Sequence, residues 1–212
     1  MARVRQHVNP LKGSFWGRRP PPVAGEDLEV EIGCADAQFL FERAAADPAR
    51  RFVGIEIRDE LVAQVNRQAQ AIGAPVVAVF AHANLHLVDL FAPGSVARFY
   101  VNFPDPWFKR RHHKRRVVDA ALAHALGTRL RPDGEVFFQS DIWDVALDAL
   151  AVLEAEPTLV NRAGAWSFWR RGNPYSARSR REAWCEERGL PVWRIAYARA
   201  LSPAPAPSPR AP

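Results

Sequence analysis

The sequence predicts an α/β fold, a mostly parallel β-sheet with helices packed on its faces. Short apolar runs rich in β-branched and aromatic residues alternate along the chain with longer segments of helical periodicity, the order that crossover connections require. The tripeptide Pro132-Asp133-Gly134 marks the passage from a helical pattern to an apolar run, as a tight turn between helix and strand does. A length of 212 residues, 48% hydrophobic and 25% charged, suits one domain with a sizeable core, and two full domains would be cramped.

In chain order, LEVEIG at 28–33 reads as a first strand, followed by a helix over 37–46 with Phe39, Leu40 and Ala44 on one face. RFVGIEI at 51–57 is a second strand and 60–72 a second helix. Strands follow at 75–80 and at 96–103 (VARFYVNF). Val118, Leu122 and Leu126 recur every four residues in a helix over 117–130, and the Pro-Asp-Gly turn leads into a strand at 135–139. A helix at 142–153 and a late strand at 192–198 (VWRIAYA) complete the pattern. Residues 1–25, with five Lys/Arg, four Pro and three Gly, read as an irregular basic arm. The Pro/Ala-rich tail LSPAPAPSPRAP at 201–212 is expected to stay disordered, which leaves 26–200 as the single domain. Sheets of this kind bind ligands beyond the carboxyl ends of their strands, near the point where strand order reverses.

Composition narrows the class. No apolar run approaches the roughly 18 residues of a membrane span, and the N-terminus lacks an apolar signal core, so a cytoplasmic protein is expected. Cys34 and Cys185 are too few for a disulfide framework and have no metal-site spacing, which suits a reducing compartment and a metal-free site. A formal charge of +6 favours a polyanionic partner, nucleic acid first.

Three strand ends carry candidate ligand contacts. Glu31-Ile32-Gly33-Cys34-Ala35-Asp36-Ala37 leaves a strand, turns through small residues and enters a helix; it is either an ordinary tight turn or a place where backbone approaches a ligand. Glu56 ends the second strand, where a carboxylate can take both hydroxyls of a ribose. The full phosphate-gripping glycine set is missing, which favours a nucleoside-type cofactor without a pyrophosphate, and S-adenosylmethionine meets that description. Beyond the third strand, His82 and Asn84 either cap a loop or reach an adenine.

The fourth strand runs into NFPDPWFKRRHHKRR at 102–116. Pro104 and Pro106 brace Asp105 and bias Phe103 and Asp105 toward extended geometry. Trp107 and Phe108 offer flat surfaces on which a base can stack, and the run from Lys109 to Arg116 can neutralise several phosphates. A solvated helix start and a localisation signal are the competing readings of that run. His112 and His113 lack partner ligands at metal spacing. On the same edge, Asp141 either caps the next helix or accepts a hydrogen bond from a substrate base, and Ser179-Arg180-Arg181-Glu182 has the form of a capping box.

These residues also match a known family. RVRQHVNPL at 3–11, EIGCADAQFL at 31–40, GIEI at 54–57, NFPDPWFKRRHHKRRVV at 102–118, QSD at 139–141, SRRE at 179–182 and GLPVWR at 189–194 together resemble the bacterial tRNA (guanine-N7)-methyltransferases. The resemblance implies a Rossmann-like class I methyltransferase fold, with a seven-stranded sheet and a late antiparallel strand. It also implies S-adenosylmethionine as donor, N7 of a guanine in the tRNA variable loop as acceptor, and a monomer or homodimer. By matching position, Glu31, Gly33 and Glu56 would bind the cofactor, with His82 or Asn84 at its adenine. Asp105 would be the active-site carboxylate beside it, and Lys109, Asp141, Ser179 and Glu182 would contact substrate. The chain departs from the family pattern at Ala35 and Ala37, which replace glycines, at His82 or Asn84, which replace an aspartate, and at Ser179, which replaces a threonine. Two other readings use the same residues, a methyltransferase of another RNA site and a non-catalytic RNA-binding partner.

Overall fold

The computed structural model describes residue 17 and residues 19–200; most of the basic arm and all of the Pro/Ala tail lie outside the described residues. Seven strands form one sheet: β1 (Leu28–Ile32), β2 (Phe52–Glu56), β3 (Val76–Phe80), β4 (Val96–Asn102), β5 (Leu130–Ser140), β6 (Leu159–Asn161) and β7 (Trp193–Arg199). Among the described residues six α-helices connect them: α1 (Gln38–Ala46), α2 (Asp59–Ile72), α3 (Ala83–Leu90), α4 (Ala120–Arg129), α5 (Trp143–Glu154) and α6 (Arg180–Glu187). A 3-10 turn spans Arg110–Arg115.

The strand order is β3-β2-β1-β4-β5-β7-β6, so the direction of winding reverses between β1 and β4. β1 to β5 pair in parallel, whereas β7 lies antiparallel between β5 and β6. Side-chain alternation along the strands builds a core on each face. Val30, Ile32, Phe99, Val101, Val136, Phe138, Ile195 and Tyr197 pack with α3, α4 and α5 residues such as Leu87, Leu126 and Leu150. Phe52, Ala78, Tyr100, Phe137 and Ala196 face Phe39, Leu40, Val65 and Ala69 of α1 and α2, with Trp169 and Tyr175 against them.

A buried charge cluster pins α1 to the sheet. Glu29 accepts two hydrogen bonds from Arg43, at 3.0 and 2.9 Å, with others from Arg98 and the Tyr100 hydroxyl. Burial works to raise the Glu29 pKa, but the bonds from Arg43 and Tyr100 outweigh it and hold the carboxyl below its ordinary value.

Several expected elements shift. Helix α4 begins at Ala120 and not at 117, because Asp119 caps it by accepting from the Leu122 N–H at 2.8 Å. The Pro-Asp-Gly turn is absorbed into β5 as an irregularity. Leu130 pairs with Val96 and the next pair is Glu135 with Arg98, with Asp133 at φ 65° between them. Helix α3 and the three-residue β6 have no counterpart in the pattern read from sequence.

Candidate active site

A cleft of about 750 Å³ opens at the carboxyl edge where the strand order reverses, and Glu31, Gly33, Glu56, His82, Asn84, Asp105 and Ser179 all line it. Its floor is the turn from β1 into α1. Gly33, Ala35 and Ala37 there have φ of 75°, 50° and 56°, so the turn needs left-handed backbone at three of five positions. A Cβ makes that conformation costly, so Gly33 suits the turn while Ala35 and Ala37 are strained in it. Ala37 is fully buried and its methyl joins the core beside α1, so of the two alanines only Ala35 lines the cleft. Gly33 and Cys34 donate to the Ile55 carbonyl at 2.8 and 3.2 Å, which lays the turn across β2. Gly54 permits this close approach, because a Cβ there would strike Cys34 Sγ.

Glu56 anchors the neighbouring wall. Its Oε2 accepts from Ala35 N–H at 2.9 Å and from Arg58 at 2.8 Å; its Oε1 accepts from the Ile57 and Arg58 backbone and from Arg58 Nε. The bond to Glu56 and the charges of Glu56 and Asp105 raise the Arg58 pKa, which puts one cation under the influence of both carboxylates. Glu31 is different. It is 3% exposed, its Oε1 accepts from Asn102 Nδ2 at 2.8 Å, and its Oε2 has no hydrogen-bond partner among the described residues. Burial, aided by the charges of Asp36 and Glu56, pushes its pKa up to about 8.

Asn84 donates to the Val117 carbonyl at 2.9 Å and to Asp119 at 2.8 Å, which ties the start of α3 to the start of α4. The His82 N–H donates to His86 Nδ1 at 3.0 Å. Asp105 stands between two strained residues, Phe103 at φ 48° and Trp107 at φ 43°. Phe103 is thus left-handed and not extended as Pro104 would favour. Its N–H stays bonded to the Gln139 carbonyl at 2.8 Å, so the chain must leave the sheet in one step. The basic run braces this loop. Arg115 stacks over Trp107 at 5.0 Å, while Arg116 donates to the Pro106 carbonyl at 3.0 Å and pairs with Asp148 of α5. Phe108, by contrast, is 72% exposed.

A family model described as a putative methyltransferase matches residues 26–195. A tRNA (guanine-N(7)-)-methyltransferase of Synechococcus sp. (strain JA-3-3Ab) is 37% identical over 206 residues, 91% of this chain and 84% of its own. Another, of Synechococcus elongatus, is 38% identical over 208 residues, 93% of this chain and 96% of its own. The chain belongs to the tRNA (guanine-N7)-methyltransferase family. Among solved structures, geranyl diphosphate C-methyltransferase of Streptomyces coelicolor (TM-score 0.55, 14% identity, 88% of this chain and 73% of that one) shares the fold. So does precorrin-6y C5,15-methyltransferase of Geobacter metallireducens (TM-score 0.53, 17% identity, 84% and 82%).

For a member of the tRNA (guanine-N7)-methyltransferase family, the remaining expected contacts sit unevenly. Lys109 is exposed on the loop beyond the cleft lining. Asp141 lies at the end of β5 and accepts from Arg181 at 2.5 Å, and it does not cap α5, whose N-cap is Ile142. Ser179 caps α6 by accepting from Glu182 N–H at 3.2 Å. Glu182 is fully buried and gives its carboxylate to Gln139, Asn173 and Arg194, so the capping box is only half formed. Sequence reasoning missed Arg58, Asn102, Asp119 and Arg181, all of which line the cleft. Arg58 follows Glu56 by two positions at a strand end, which was the one signal available for it.

Proposed function

We propose that the chain transfers the methyl group of S-adenosylmethionine to N7 of a guanine in the variable loop of cytoplasmic tRNA. The observation that carries this reading is the convergence of Glu31, Glu56 and Asp105 on one cleft at the strand-order reversal. The residues present suit the cofactor. The unpartnered, buried Glu31 Oε2 is a place for a cationic amino group, Glu56 is placed for a ribose diol, and the left-handed turn at 33–37 exposes backbone to the ligand between them. When bound, the cofactor supplies an electrophilic methyl on a sulfonium.

At least five donors already meet the Glu56 carboxylate, more than its roughly four lone-pair sites take comfortably. A ribose diol held by Glu56 would therefore take the place of the Arg58 guanidinium there. Guanine N7 bears a lone pair and no proton, so no general base is required. Orientation is the main lever, and near-attack geometry is worth roughly 7 to 11 kcal/mol. Asp105, held by its strained proline-flanked loop, positions the base edge and favours the positive charge that develops on the purine ring. The aromatic and basic residues of the loop receive the strand that carries the base. Radiolabelled methyl transfer to unmodified tRNA, followed by nucleoside analysis, tests the assignment. N7-methylguanosine is the expected product, and label in any other nucleoside would overturn it.

A further inference from the structure

A row of buried polar side chains runs across the carboxyl edge of the sheet from Glu31, and its middle members have no part in the chemistry above. Tyr100, Phe137 and Ala196 face α1 and α2, so two positions nearer the carboxyl edge Asn102, Gln139 and, on the antiparallel β7, Arg194 fall on that same face, and Glu31 stands two positions beyond Glu29. The sheet register pairs Asn102 with Gln139 and Gln139 with Arg194. Hydrogen bonds join them into one line. Asn102 Nδ2 donates to Glu31 Oε1 at 2.8 Å, and Gln139 Nε2 donates to Asn102 Oδ1 at 3.0 Å and to Glu182 Oε2 at 2.9 Å. Arg194 donates to Gln139 Oε1 at 3.1 Å and to Glu182 Oε1 at 2.8 Å.

The line joins two walls of the cleft. At one end is Glu31, whose Oε2 lacks a partner among the described residues. At the other is Glu182 of α6, the helix whose first turn and cap bring Ser179, Arg180 and Arg181 to the cleft. Gln139 is the junction. It is fully buried, stands behind the cleft lining, and uses both amide hydrogens and its carbonyl oxygen within the line. A buried network of this kind has few alternative arrangements, because each unmade bond leaves a desolvated polar group.

We infer that Gln139 is a positioning residue that couples the Glu31 end of the cleft to the seating of α6. A ligand group that engages Glu31 Oε2 fixes the Glu31 carboxylate, and through Asn102 and Gln139 it fixes Glu182 and the helix above it. By reciprocity, RNA that holds α6 in place tightens binding at Glu31. The inference rests on the cofactor reading above and adds to it a route between donor and acceptor walls.

Hydrogen exchange with S-adenosylhomocysteine as probe, on the wild-type chain and on Gln139→Met, provides the test. In the wild type the ligand slows exchange both at the turn 33–37 and in Arg180–Glu187, the latter by about tenfold, within the usual span for coupled sites. In Gln139→Met the turn still responds, but the ligand-induced slowing in α6 falls below about twofold. A purely structural role would lower α6 protection equally with and without ligand and leave that increment whole, which would overturn the inference. So would a wild-type chain whose turn responds while α6 does not, a comparison that stands even if Gln139→Met fails to fold. Silence of both segments in the wild type would instead remove the cofactor reading, and the coupling with it.

Discussion

The Ala35 N–H donates to Glu56 Oε2 at 2.9 Å, so the turn that follows β1 hangs from the carboxylate that ends β2. Two walls of the cleft are therefore one unit, although Ala35 itself is held at φ 50°. Left-handed backbone costs a residue with a Cβ roughly 1–2 kcal/mol, and the extra unfolded-state freedom of glycine offsets about 0.4–1 kcal/mol of that. Ala35→Gly is expected to stabilise the protein by about 0.5–1 kcal/mol in urea titration. Ala37→Gly should gain less, because it also removes a methyl from the core.

The same turn leans on Gly54. An added Cβ meets Cys34 Sγ and lies 3.4 Å from Leu40 Cδ1, and the backbone of the turn has no room to retreat without leaving the Ile55 carbonyl. Gly54→Ala should cost about 1–3 kcal/mol of stability, the usual range for overpacking. Affinity for S-adenosylhomocysteine, measured by calorimetry, should fall in parallel.

Glu31 gives a pH dependence of defined sign. Its folded-state pKa is raised from 4.5 to about 8 by burial, so between those values the folded state binds the extra proton. Stability from this group is complete below its ordinary pKa and is lost as pH rises toward 8, with a slope of up to about 1.4 kcal/mol per pH unit. Urea titrations of wild type and Glu31→Gln from about pH 5 to pH 8.5 should therefore diverge, with the variant gaining on the wild type as pH rises. Parallel curves would mean that Glu31 is solvated.

The basic run divides into braces and exposed cations. Arg115 and Arg116 are engaged with Trp107, Pro106 and Asp148, whereas Lys109 and Arg111 are exposed. Replacing Lys109 and Arg111 with alanine should lower the salt slope of tRNA binding by roughly 1.4 to 1.8, two phosphate contacts' worth. Arg116→Ala should change that slope by less than about one and act instead on turnover, because it unfastens the Asp105 loop from α5.

Much of this site was legible in the chain. Leu28–Ile32 and Phe52–Glu56 announce themselves as strands, and Gly33, Glu56 and Asp105 can be placed at strand ends by counting. What escaped was set by register and by competition among partners. The Gln139–Asn102 and Gln139–Arg194 bonds join residues 37 and 55 positions apart, and no local pattern reports such pairings. Glu182 reads as a capping residue, yet its carboxylate turns to Gln139 and Arg194 because burial demands charged or polar partners. Helix α3 hid because a polar residue, His86, sits on its buried face while an apolar one, Val88, is exposed, and β6 because three residues carry almost no periodicity.

The central claim is that Asp105 acts on the acceptor guanine and leaves donor binding to Glu31 and Glu56. Single-turnover methyl transfer to unmodified tRNA by wild type and Asp105→Ala, paired with calorimetry of S-adenosylhomocysteine, tests it most directly. The expected result is a loss of transfer of about 10²–10³-fold or more with ligand affinity within about threefold, the size of effect seen when one preorganised electrostatic partner is removed. Near-normal transfer by Asp105→Ala, or a collapse of ligand binding large enough to explain the loss, would contradict it.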